Sequence, residues 1–310
     1  MVNELATAAM LHLLGGLVLA TLVNQDASLR GHHRPLALAG GTLALGVLGA
    51  VGYYAFRDRI GDLPDDVTRF RAPVGTRARD LLKGVLLIVG AFLCAAAIVG
   101  LGANVLVAAG VVDRGTLEFR VLASILQFVG FGVGVGGYLA ITRDWDLVQL
   151  RAPTLRTAGL IALGVVVLVL AQLAIARLLT VLGIQVAQNQ VVATGQQDPR
   201  YFLYMIPVAI LLVGPFEELV FRGGVQGILR RTWGPGVAIA VASVLFGLVH
   251  WVALTGGGSR VPYVTVAATL GLVLGYLYER SRNLVVPAVV HGLYNTVLFG
   301  AQYLSATGMG

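Results

Sequence analysis

The sequence predicts an all-α, polytopic transmembrane bundle of about nine spans, and three observations carry that expectation. Residues of the AVILMFWYC set make up 57% of the 310 positions and charged residues only 12%, with a mean hydropathy of +0.84. A soluble domain carries about 25% charged residues. Nine segments approach the roughly 20 apolar residues that cross a hydrocarbon core of about 30 Å. The 41 glycines fall mostly inside those segments, where small residues let membrane helices pack closely. An ordinary cytosolic domain, a disordered chain and a disulfide scaffold are excluded. The single cysteine, Cys94, has no partner for an internal disulfide.

The segments run, in order, Leu5–Val23, Leu36–Phe56, Leu81–Val111, Phe119–Thr142, Ala158–Leu182, Phe202–Leu229, Pro235–Leu254, Pro262–Glu279 and Leu284–Leu304. The first lacks a basic leader and a small-residue cleavage site, so it reads as a retained helix. Basic residues sort by loop. Fifteen fall in the even-numbered loops, counting Arg222, and six in the odd-numbered ones, while Arg177 near the end of the fifth span can snorkel to an interface. Positive loops stay inside, so the N-terminus and even loops are expected in the cytoplasm of a multi-pass integral cell-membrane protein. The long loop Gly183–Tyr201, rich in Gln and Asn, is then exterior. The excess of basic over acidic residues is accounted for by topology, so no nucleic-acid partner is expected. A short echo links Arg57–Pro73 to Arg143–Pro153; it carries no nameable chemistry.

Ionisable groups inside a membrane are costly and need a reason. His12, Asn104, Gln127, Gln172 and Arg177 are scattered singly through the first five spans and read as interhelical hydrogen bonds or snorkelling groups. Cys94 reads as a small buried apolar residue. The last four spans differ. The sixth holds Glu217, Glu218 and Arg222; the seventh, His250; the ninth, His291 and Asn295. Glu218 and Arg222, four apart, can pair on one face. Glu217 points about 100° away with no local partner, and an unpaired carboxylate in an apolar site suits a general base. By helical rise, Glu217 and His250 lie about 20–22 Å from the cytoplasmic surface. His291, eight residues past Asn283, reaches only about 12 Å unless its helix starts deep.

These residues resemble the CPBP family of intramembrane proteases, which includes type II CAAX prenyl endopeptidases and bacteriocin-processing or self-immunity proteins. The motifs are Glu217-Glu218-x-x-x-Arg222, Phe246-x-x-x-His250 and His291-x-x-x-Asn295, ordered on successive spans. The resemblance covers about 202–301. It divides the chain into N-terminal helices of unassigned role, 1–157 with about four spans, and a protease core, 158–310 with about five. It implies a helical core around a cavity open to the cytoplasm, and hydrolysis of a peptide bond in a membrane-associated protein or peptide, lipidated or not. Glu217 would activate water, His250 would position it or share its proton, and His291 with Asn295 would stabilise the oxyanion. Glu218 and Arg222 would fix the helix, with Arg222 also near the substrate entrance. Zinc is an open alternative, with Glu217, His250 and His291 as ligands if a metal is used; a metal-free glutamate–water route fits the inventory better.

Other protease chemistries find no support. H-E-x-x-H and G-x-S-x-G are absent, the nearest string to G-x-G-D is Arg59-Ile60-Gly61-Asp62, and the only lysine, Lys83, is remote from any candidate serine. Two other function classes stay open at this point. Membrane Glu, His and Arg also build the relays of proton-coupled carriers, and the fold could serve a non-catalytic immunity or scaffold protein.

Overall fold

The computed structural model describes residues 2–57 and 72–309; Arg59, Arg69, Arg71 and most of the echo Arg57–Pro73 lie outside them. The expected all-helical membrane bundle is what the chain forms. Its helices are α1 (Val2–Leu29), α2 (Pro35–Leu45), α3 (Val47–Phe56), α4 (Val74–Ala108), α5 (Leu117–Thr142), α6 (Leu155–Val181), α7 (Gln190–Gln197), α8 (Arg200–Val208), α9 (Gly214–Glu218), α10 (Gly227–Trp233), α11 (Pro235–Val249), α12 (Arg260–Ser281) and α13 (Val285–Thr307). Two-residue strands β1 (Gln188–Asn189) and β2 (Leu254–Thr255) pair antiparallel. Among the described residues, seven helical stretches are long and apolar enough to cross a bilayer. The 23-residue α13 is equally long but is diluted by His291 and Asn295.

The second expected span is different. Pro35 starts α2, but the chain breaks at Gly46, whose φ of +59° and ψ of −130° favour a residue without a side chain. A Cβ on Gly46 would stand 2.5 Å from the His12 ring, and one on Gly49 would stand 2.7 Å from Thr42 Cα. So α3 folds back along α2. At 11 and 10 residues neither helix spans hydrocarbon. The hairpin returns Tyr53 to α1, where its hydroxyl donates to Asp26 at 2.9 Å. Tyr54 there lies within electrostatic range of Asp26, Arg30, Arg57 and Arg77. The C-terminal end of α1 therefore sits beside the start of α4, and the N-terminus lies at the other end of the bundle. The expectation that N-terminus and even loops share a side does not hold.

Two ends can be distinguished. At one, Arg231 bonds Asp144 and Asp146 at 2.9 and 3.0 Å, Thr232 donates to Asp80 at 2.9 Å, and Arg230 grips Glu279 at 2.9 Å. At the other, Ala187 N donates to Ser259 O, and Ser259 N to Gln185 O, each at 2.9 Å, tying the segment before α7 to the turn before α12. Two of the scattered groups make the expected interhelical hydrogen bonds: His12 contacts the Leu43 and Ala44 carbonyls, and Tyr294 donates to Gln172 across α13 and α6 at 3.1 Å.

Candidate active site

Residues 200–233 form one rod, α8–α10, interrupted by π-helical stretches at Ala209–Val213 and Leu219–Gln226. Such widened turns recur at functional sites because they re-aim side chains. Gly214 lets this rod touch α13: a Cβ there would lie 2.3 Å from Ala288 O and 2.9 Å from Gly292 N. That contact sets Glu217 and Glu218 opposite His291. The depth mismatch is resolved by a deep start to α13. Asn283 and Leu284 are buried, and Leu284 N donates to Gln149 O at 2.7 Å. Asn283 accepts from Arg151 N at 3.0 Å and donates to Arg151 O at 2.9 Å.

His291 is held between the two carboxylates. Its Nδ1 donates to Glu218 Oε1 at 3.0 Å, and its Nε2 faces Glu217 Oε2 at 3.9 Å. Glu218 and Arg222 are fully buried, with Arg222 Nε 3.0 Å from Glu218 Oε2. The guanidinium nitrogens are not aligned for a hydrogen bond to any described protein group, so this contact is ionic rather than directional. The expected Glu218–Arg222 pair thus extends to a third member: Glu218 also orients His291. Spacing could not show that, since the two are 73 residues apart.

The Phe246 ring organises the other side. Its centroid lies 4.6 Å from that of His250, 5.9 Å from His291 and 5.1 Å from Phe221, with the Arg222 guanidinium carbon at 5.0 Å. His250 Nδ1 is 2.7 Å from Phe246 O. A carbonyl only accepts, so Nδ1 carries the proton and Nε2 is left as the working nitrogen. Tyr263, which the motifs did not single out, faces His250 at 6.2 Å between centroids and accepts from Asn189 Nδ2 at 3.0 Å.

Glu217, His250, His291 and Asn295 all line one cavity of about 820 Å³. Arg222 does not; fully buried, it lies behind the floor and not near the substrate entrance as the resemblance implied. Glu217 Oε2 is buried with no hydrogen-bond partner among the described protein groups. The zinc-ligand alternative is not supported by the geometry. Among the described residues no three His, Cys, Asp or Glu side chains come together as a metal-binding group. A zinc site needs its donors about 2.0–2.2 Å from one point.

Walls of the cavity come from α5, α6, α12, α13 and the segment from Ile184 to Thr194. It therefore reaches the end of the bundle opposite the basic loops. The cytoplasmic opening implied by the resemblance and the cytoplasmic even loops implied by the charges exclude each other. Residues 120–128, assigned to N-terminal helices without a role, contribute to the wall through Arg120, Ser124 and Gln127.

Fold and site together define a multi-pass membrane protein with a Glu–His cluster buried at the base of a largely apolar cavity that carries scattered amide and hydroxyl groups. Residues 199–297 match the family model described as type II CAAX prenyl endopeptidase, Rce1-like, and the resemblance drawn from the motifs is borne out over that segment. The Bacillus subtilis (strain 168) protein called "Putative membrane peptidase YdiL" is 28% identical over 95 residues, 29% of this chain and 36% of that relative. The chain thus spans about a third of the length of this curated relative. No solved structure matches. The family match and this relative support a peptidase embedded in the membrane.

Proposed function

We propose that the protein is a metal-independent intramembrane endopeptidase acting on a membrane-associated protein or peptide. The observation that carries this reading is the Glu217 carboxylate, buried at its Oε2, unpartnered there, and 3.9 Å from His291 Nε2 on the floor of a substrate-sized cavity. Glu217 takes a proton from a water as its oxygen adds to the scissile carbonyl. The C–N bond then breaks, and the same proton passes to the departing amine, giving a carboxyl and an amino terminus. His291, His250 and Asn295 border the space where the oxyanion develops, and prearranged donors in a site screened from water are worth several kcal/mol there. Arg222 and Glu218 touch no substrate in this scheme; they position His291.

The test is cleavage by purified protein and comparative membrane proteomics of wild type against Glu217→Gln. The reading expects loss of cleavage with normal insertion and folding. Retained cleavage by folded Glu217→Gln protein overturns it. Ion-coupled flux in proteoliposomes that disappears in the same variant would put a carrier in its place, and full biological activity of the variant would put a binding or immunity role there.

A further inference from the structure

We propose that the catalytic cavity opens on the exterior face of the membrane, so that the substrate is a membrane-anchored protein or peptide whose scissile segment leaves the bilayer on that side in an extended, weakly charged form. This rests on the endopeptidase reading above and adds its sidedness and substrate class.

Charge is the first ground. With Arg222 in the core and the α2–α3 hairpin returning Arg30, Arg34 and Arg57 to the end that holds Arg77, the basic bias is sharper than the loop count suggested. Among the described residues, Arg114, Arg120, Arg177, Arg200 and Arg260 are the only basic groups at the cavity end; the rest, Arg222 apart, lie at the other. Basic flanks are retained in the cytoplasm, so the knitted basic end is cytoplasmic and the N-terminus, opposite it, is exterior.

The cavity itself is the second ground. It is walled by the halves of α5, α6, α12 and α13 that lie toward the exterior end. Its rim is the segment fixed by β1–β2 pairing and by the Ala187–Ser259 bonds. Among the described lining residues Glu217 is the one carboxylate and Arg120 the one guanidinium. The polar remainder is largely amide and hydroxyl, as in Gln188, Asn189 and Gln302. Such groups hydrogen-bond a peptide backbone without desolvating charges, whereas a strongly charged segment would meet few opposite charges.

Sidedness is read with single-cysteine variants of the full-length protein in a Cys94→Ala background, labelled in intact cells with a membrane-impermeant maleimide. The exposed positions are Gln190→Cys at the rim, and Arg34→Cys and Arg280→Cys at the basic end. Labelling of position 190 in intact cells, and of 34 and 280 only after permeabilisation, supports the proposal; the reverse pattern overturns it. New termini that appear with wild-type protein but not with Glu217→Gln should map to exterior flanks of membrane anchors; termini on cytoplasmic flanks also overturn it. The two readings fail separately. Reversed labelling with cleavage still lost in Glu217→Gln removes only the sidedness, and expected labelling with cleavage retained in that variant removes only the peptidase.

Discussion

Replacing Glu218 with Gln tests the buried relay behind the site. The substitution preserves shape and leaves an oxygen that can still accept from His291 Nδ1, but it removes the charge 3.0 Å from Arg222 Nε. At that separation the attraction is about 5–6 kcal/mol for an effective dielectric of 20. Breaking a buried pair from one side costs about 3–5 kcal/mol, because the other charge is stranded. Arg222 is fully buried and has no aligned protein acceptor to turn to. Glu217, within electrostatic range of the guanidinium, offsets part of the loss, which places the expected destabilisation near 3 kcal/mol. The double variant Glu218→Gln/Arg222→Met removes the stranded cation and retains an apolar contact for Phe246. It should recover all but about 1 kcal/mol of the loss. Equilibrium unfolding of the full-length proteins in mixed micelles, arranged as a double-mutant cycle, measures the coupling. Additive effects, with a coupling below about 0.5 kcal/mol, would show that the pair is not a unit.

Four further outcomes follow from the same geometry. Glu217→Gln should lower the cleavage rate by about 10²–10⁴-fold while leaving unfolding midpoints within error, read by single-turnover cleavage and micelle denaturation on the same preparation. His250→Ala should slow cleavage without moving the Glu218–Arg222 coupling, because His250 is tied to Phe246 O rather than to either group; a changed cycle energy would contradict that. A zinc chelator such as phenanthroline should leave activity unaltered, since Glu217, His250 and His291 do not form a ligand set; loss on chelation with recovery on adding zinc would refute this. Gly214→Val should prevent stable folding, because its Cβ would press on the Ala288 carbonyl at 2.3 Å. Protease-resistant, monodisperse protein from that variant would show that the rod and α13 can part without harm.

The candidate site was legible in the sequence because membranes make polar residues conspicuous. Glu217, His250, His291 and Asn295 stood out because such costly groups recur on three of the last four spans, and all four line one cavity. The Glu218–Arg222 pair followed from helical spacing. What spacing could not reach were contacts set by tertiary approach. Glu218 binds His291 across two helices, and Asn189 reaches Tyr263 from a polar loop. The deep start of α13, which decides whether His291 arrives at all, depends on Asn283 bonding the Arg151 backbone. That asparagine looked like an ordinary loop residue beside Arg282.

The misread element was the second apolar segment, and its consequence is larger than its length. Residues 36–56 have the composition and extent of a span, and hydropathy cannot distinguish one crossing helix from two half-helices folded together. The distinguishing signal lay in the small residues. Gly46 accommodates a positive φ, and Gly49 lets α3 lie against Thr42; in a continuous helix positions 42 and 49 would be about 10 Å apart. Each crossing added or removed reverses the inferred side of everything before it. Turning this segment into a hairpin moves the N-terminus across the membrane relative to α4 and brings Asp26 and Arg30 beside Arg57, gathering charges that a nine-span count had split between two aqueous phases. The hairpin and the basic bias thus support one another. Gly46→Ala, which strains the turn and drives a methyl into the His12 ring at 2.5 Å, should loosen the Tyr53–Asp26 contact and raise hydrogen exchange through 47–56, leaving the Glu217–His291 cavity and cleavage intact. Exchange that stays unchanged across 47–56 would mean the fold-back does not depend on Gly46, and the argument from a glycine-dependent turn would fail.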